Sequence, residues 1–177
     1  LSPWLAAVPL LIARSLGTYG LHRLFHAVPL LWRIHAVHHA NPAIDVSSGL
    51  RNHPAEALSA SALAATITLL LAPPPAAVVA IDALLLAAAF WTHAAIRLPP
   101  RLCAGLEGLL ITPRLHLIHH SRDSADHDRN FGDIFVLWDR LFGTFKPARG
   151  EALRVGLDGE DAGARSLRHQ LALPFLR

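Results

Sequence analysis

Residues 55–96 constrain the fold more than any other stretch of this 177-residue chain. From Ala55 to Ala72 the sequence is almost uninterruptedly apolar, Pro73, Pro74 and Pro75 break it, and Ala76 to Ile96 is apolar again apart from Asp82 and His93. Consecutive prolines cannot continue a helix, so the pattern predicts two helical arms joined by a proline turn. At 1.5 Å of rise per residue each arm crosses or nearly crosses a hydrocarbon core of about 30 Å. The other home for two such arms is the core of a soluble protein. Composition argues against it: 53% of residues are hydrophobic and 16% charged, and mean hydropathy is +0.37, too apolar for an ordinary soluble domain. A membrane hairpin that leaves one surface near His53 returns to the same surface near His93.

Histidines gather at that surface. The stretch HRLFHAVPLLWRIHAVHH carries His22 and His26 at i, i+4, then His35, His38 and His39 at i, i+3, i+4. A helix advances about 100° per residue, so each set shares one face. Pro29 interrupts the pattern between them and lets a second helix fold its histidines back towards the first. The HxxHH spacing recurs as His116, His119 and His120. Twelve histidines stand beside one cysteine, Cys103, which excludes intrachain disulfides, thiolate zinc sites and cysteine-ligated clusters. Imidazole must therefore carry any metal, and nitrogen donors suit zinc, copper, iron or nickel. Mononuclear zinc takes three or four ligands, so eight or more imidazoles imply two metals. The Glu-x-x-His of soluble di-iron bundles is missing after Glu56, Glu107, Glu151 and Glu160, and there is no HExxH, GxGxxG, phosphate loop or CxxCH. A net charge of +3, mild and scattered, gives no reason to expect nucleic-acid binding.

The chain opens on Leu1 and has no methionine, which reads as a fragment lacking N-terminal helices, with no signal peptide. Trp4 to Leu16 is apolar but broken by Pro9 and Arg14 and too short alone to span, and reads as the end of a truncated span; Tyr19 to His26 continues as helix. Asp45 to His53 is turn-like, and Pro54 suits a helix start. Leu98 to Leu110 reads as a short interfacial helix, Pro113 as the start of the next, Ser121 to Arg129 as a loop, Asn130-Phe131-Gly132 as a turn and Ile134 to Phe145 as an aromatic helix. Residues 1–147 form the histidine domain and 148–177 a tail. Arg14, Arg23, Arg33, Arg51, Arg97, Arg101 and Arg114 flank the histidine side while the proline turn has no charge, so the positive-inside rule makes that side cytoplasmic. The expected fold is an all-α integral membrane bundle: a transmembrane hairpin under a cytoplasmic histidine-rich helical cap.

HRLFH at His22, PLLWRIHAVHH at Pro29, RNHPAE at Arg51, ITPRLHLIHH at Ile111, NFG at Asn130 and WDRLFGTF at Trp138 together resemble the fatty acid hydroxylase and sterol desaturase superfamily of membrane di-iron oxidases. The resemblance runs from about Leu16 to Phe145. It implies that His22, His26, His35, His38, His39, His116, His119 and His120 ligate two iron ions, with His93 as a further ligand. It also implies an O2-dependent oxidoreductase that hydroxylates or desaturates a C–H bond of a sterol, fatty acyl or related lipid. With no flavin or haem motif, electrons are expected from an external reductase, ferredoxin or cytochrome. Ser15 stands where the family commonly has an acid, Ala95 where it often has asparagine, and Ala40 where it often has serine. His53 either supports a ligand or braces the hairpin, and Asn130 either orients a ligand or makes a turn. His127 and His169, in polar or tail segments, are expected exposed and unliganded; Asp82 is expected protonated or paired; Trp138, Asp139 and Arg140 are expected to pack. The rival function is a membrane protein that binds or carries metal without redox chemistry, for which histidines would be spread along the membrane depth.

Overall fold

The computed structural model describes residues 3–148, 153–159 and 166–176, leaving Leu1, Glu151 and Glu160 outside the described residues. Among the described residues the chain is all-helical: α1 Pro3–Ala27, α2 Pro29–His39, α3 Pro54–Leu71, α4 Pro75–Thr92, α5 Pro100–Leu106, α6 Pro113–His119, α7 Ser124–His127, α8 Leu137–Leu141 and α9 Leu167–Leu176. A 3-10 turn, Val46–Leu50, links α2 to α3. Proline opens α2, α3, α4, α5 and α6, where its missing N–H costs nothing and its fixed φ suits the first turn.

Among the described residues, three helices are long and apolar enough to cross a membrane: Trp4–Ala27, Pro54–Leu71 and Pro75–Thr92. The hairpin is α3 and α4, joined through Ala72 in the left-handed region at φ 43°. α3 is built inside out, because its one buried residue is Glu56 while Leu58, Leu69 and Leu70 are 71%, 81% and 79% exposed. A soluble core helix would bury those leucines; lipid is the solvent that accepts this distribution.

α1 departs from the sequence expectation, since it runs unbroken through Pro9 and becomes a third candidate span. One proline forfeits a single ladder bond in a helix of 25 residues, a loss membrane helices tolerate. Arg14 is accommodated because its guanidinium donates to Asp82 Oδ1 on α4 at 2.8 Å. This pair is also the partner that Asp82 needs at its depth.

Two other expected helices are shorter. Instead of continuing α5 to Leu110, the chain forms an antiparallel bridge from Leu110 to Phe135, with Ile111 N–H donating to the Ile134 carbonyl at 2.7 Å and Val136 N–H to that of Leu109 at 3.0 Å. That pairing consumes the start of the expected Ile134–Phe145 helix and leaves α8. The expected loop after Ser121 contains the one-turn α7, whose first turn is capped by Asp123.

Around the bridge, the fully buried Asp139 accepts from Phe131 N–H, Gly132 N–H and Thr144 Oγ1–H at 2.8, 2.9 and 2.6 Å. α1 is tied to the same knot: Tyr19 OH meets Thr144 Oγ1 at 2.9 Å, and Trp138 Nε1–H donates to Ser15 Oγ at 3.0 Å. α9 packs on α2, placing Leu173 against Ala36, Val37 and Ala40.

Two expectations follow. Gly132 has no room for a side chain, because a Cβ there would lie 2.6 Å from the Phe135 carbonyl oxygen. Gly132→Ala should therefore lower stability by about 1–3 kcal/mol, read as a depressed unfolding temperature in detergent. Cysteines replacing Pro74 and Asn52 should react with an impermeant maleimide from opposite faces of intact cells; labelling from one face would make the hairpin re-entrant.

Candidate metal centre

The three long helices bring their polar ends to one level. His22 and His26 lie in the last turns of α1, Glu56 in the first turn of α3, and His93 caps the C-terminus of α4. α2 folds back over them with His35, Ala36, Val37, His38 and His39 as its buried residues. α6 adds His116 and His119, and His120 follows as its cap.

The nine histidines form two groups, each with one nitrogen per residue lying within 4.8 Å of the others. One group is His22, His26, His35, His39 and His119; the other is His38, His93, His116 and His120. The adjacent residues His38 and His39 serve different groups, and the His39 and His120 rings stack across the junction at 4.5 Å.

The outer nitrogens show which way the lone pairs point. Nδ1 of His22, His38, His93 and His119 faces the carbonyls of Phe131, Arg51, Ala89 and Arg129 at 2.9, 3.2, 2.8 and 2.9 Å. Nδ1 of His26 and His35 faces the carboxylates of Asp128 at 3.0 Å and Glu56 at 2.8 Å. A carbonyl or an ionised carboxylate can only accept, so His22, His26, His38, His93 and His119 carry their proton on Nδ1 and turn an unprotonated Nε2 inward, while His35 Nδ1 shares a hydrogen with the buried Glu56 carboxyl. The inner nitrogens crowd together: His22 Nε2 lies 3.1 Å from His35 Nε2, and His93 Nε2 lies 3.2 and 3.0 Å from those of His38 and His116. No described residue satisfies them as a set, and among the described residues His26 Nε2, His119 Nε2 and both ring nitrogens of His39 are buried without a partner. Converging lone pairs need a cation, and imidazole donors with their outer N–H fixed suit zinc, copper or iron.

Burial keeps these rings neutral. It holds His35 down to about 3, well below the usual imidazole range, and lowers His38, His39, His116, His119 and His120, with neighbouring histidines adding to the effect. His93 is also lowered, by burial first, against its bond to the Ala89 carbonyl.

The other sequence candidates are placed differently. His53 caps α3, its Nδ1 accepting from Ala55 N–H at 3.2 Å. The residue of RNHPAE that touches the histidines is Glu56, which sequence reasoning passed over; its signal was a lone acid at the polar start of an apolar arm. The Asn130 side chain hydrogen-bonds to no histidine among the described residues: its Nδ2 donates to the carbonyls of Leu115 and Lys146 at 3.0 and 2.9 Å, holding the backbone beside His116. His127 corrects the expectation of an exposed histidine. α7 folds it half-buried over the first group, 4.8 Å from the rings of both His26 and His39 and 4.7 Å from Trp32. His169, also expected exposed, is half-buried on α9, the helix that packs on α2, and belongs to neither group.

The fatty acid hydroxylase family model matches residues 7–144. The chain belongs to that family. Among relatives, ornithine lipid hydroxylase OlsE of Rhizobium tropici is 34% identical over 94% of this chain and 49% of its own length. Alkylglycerol monooxygenase of Danio rerio is 34% identical over 81% of this chain and 30% of its own, and that of Homo sapiens 30% identical over 88% and 34%. The chain thus spans about half, or less, of the length of these relatives. No solved structure matches it.

Acid should destabilise the metal-free protein. His35 protonates near 3 when folded and near 6.5 when unfolded, so between those values the unfolded chain binds more protons. Its contribution is complete above about pH 6.5 and lost as pH falls towards 3. The unfolding temperature of metal-free protein should fall progressively below pH 6.5; a profile flat to about pH 4 would contradict the buried, neutral assignment.

Proposed function

We propose that this chain carries the catalytic centre of a membrane-bound, O2-dependent di-iron oxidoreductase that hydroxylates or desaturates a C–H bond of a lipid. The observation that carries the reading is the convergence of unprotonated imidazole nitrogens into two adjacent groups. His22, His26, His35, His39 and His119 would hold one ion, and His38, His93, His116 and His120 the other. Two iron ions there would supply O2 activation and the power to oxidise an unactivated C–H bond. Family membership and relatives named as lipid hydroxylases and monooxygenases support the same chemistry.

The protein's own groups do the rest. Glu56 fixes the tautomer and ring plane of His35. Backbone carbonyls do the same for His22, His38, His93 and His119, and the apolar spans keep water from the reacting carbon. With arginines concentrated at the histidine level, that level faces the cytoplasm, where an external reductase, ferredoxin or cytochrome docks on a basic surface. A carrier of metal ions would need histidines along the membrane depth, whereas both groups sit at the ends of α1 and α4.

The test is metal content together with turnover. Purified full-length protein assembled with iron should contain two ions per chain and convert host lipid extract under O2 to a product visible by mass spectrometry; one reproducible ion in active protein would defeat the di-iron assignment. Alanine at His35, His39, His116 or His120 should abolish turnover with altered metal stoichiometry, while His169→Ala leaves both unchanged. Glu56→Gln should lower activity or metal affinity by about 10–100-fold, the usual effect of losing a ligand's hydrogen-bond partner. Normal turnover in the four histidine variants would refute the site.

A further inference from the structure

Two cavities share one lining residue, Asp133. The inner one, about 150 Å³, is walled by His22, His35, His38, His93 and His116 of the two groups and also by Asp133. The outer one, about 380 Å³, runs along the second half of α4, past Leu84 and Trp91, opposite Leu106 and Leu110, and it too is bordered by Asp133. Leu84 and Trp91 are about 10 Å apart along the helix. Both belong to a candidate membrane span, so this cavity lies where a lipid chain can slide in sideways without crossing water.

The wall of the outer cavity is leucine, alanine and isoleucine except for Trp91 and Asp133. Trp91 is already satisfied, its indole N–H donating to the Ile111 carbonyl at 2.9 Å. Asp133 is not: among the described residues its half-buried carboxylate accepts from two backbone N–H groups, that of Ile134 at 2.8 Å and its own, of the about four hydrogen bonds a carboxylate can take. Burial pushes its carboxyl up to about 6, against the opposing pull of those two N–H groups and of Arg14, as expected for a desolvated acid. An apolar pocket with one placed polar group orients its ligand through that group.

We infer that Asp133 selects the lipid: the outer cavity takes an alkyl chain, and the Asp133 carboxylate at the neck accepts a hydrogen bond from an N–H or O–H donor at the chain's polar end. The carbon presented to the histidines is then one close to that donor, and a mid-chain methylene is not. Lipids whose polar end offers only acceptors, such as plain esters, bring the carboxylate no further donor. This rests on the proposal that the substrate is a lipid.

The test uses full-length protein in nanodiscs and two diazirine probes of equal chain length, an N-alkyl amide that donates and the matching methyl ester that does not. Irradiation followed by peptide mass spectrometry should place the amide label on residues 84–91 and 106–111, with the ester labelling at least about 10-fold less. A hydrogen bond to a charged group is worth about that factor. Asp133→Leu should remove the amide's advantage, and Asp133→Asn, which keeps the volume and the acceptor for Ile134 N–H, should remove it too. The inference is overturned if both probes label equally in the wild type, if the variants weaken both alike, or if the label falls elsewhere. Lipid oxidation, measured on the same preparations, separates the two readings: turnover with label elsewhere sinks the pocket alone, whereas the expected labelling with no turnover by iron-loaded protein sinks the oxidase.

Discussion

Everything in this protein depends on keeping nine imidazoles out of water without protonating them. A buried imidazolium would be costly, and a buried neutral ring still needs its N–H satisfied. The structure meets the second demand for five rings with acceptors that cannot donate, four backbone carbonyls and the Asp128 carboxylate, and ties a sixth, His35, to the buried Glu56 carboxyl. The proton is thereby fixed on the outside of the cluster and the lone pairs are left facing inward. The metal-binding character is set by these outer hydrogen bonds as much as by the histidines.

That arrangement also explains why the architecture is inverted relative to a soluble bundle. α3 turns its leucines outward and buries a glutamate, which is favourable only if the surroundings are hydrocarbon. The polar groups that remain on the spans are handled individually: Arg14 finds Asp82, and Glu56 finds His35. Away from the membrane, the Asp139 knot ties Phe131, Gly132 and Thr144 together. Through Tyr19 and Trp138 it anchors the very helix that carries His22 and His26. Ser15, which departs from the acid common in the family, accepts the indole N–H of Trp138 in that anchor.

Much of this was written in the sequence, because hydropathy and helical spacing are local properties. The two apolar arms around Pro73–Pro75 prescribe a hairpin wherever they are placed, and i, i+3, i+4 spacing puts His35, His38 and His39 on one face of any helix. Proline at residues 29, 54, 75, 100 and 113 marks helix starts for a reason confined to the first turn. What the spacing could not tell was the division of labour. His38 and His39 are neighbours in the chain but serve different groups, since which side of α2 meets α1 and which meets α4 is a matter of packing.

The tertiary structure alone decided the rest, and in each case the reason is a partner distant in sequence. Trp4–Leu16 looks too short to span until Arg14 is seen to pair with Asp82, 68 residues away. Ile134–Phe145 has the composition of a helix, but its first residues pair with Leu109–Ile111 and cannot also close a helical turn. His127 lies in a polar stretch and would be solvated in isolation; α7 folds it onto Trp32 and His26 instead. Glu56 follows His53 by three residues, yet only Glu56 reaches the cluster, because His53 spends its lone pair on the backbone of α3. Periodicity along a chain fixes which face of a helix is polar; only the packing of helices fixes what that face meets.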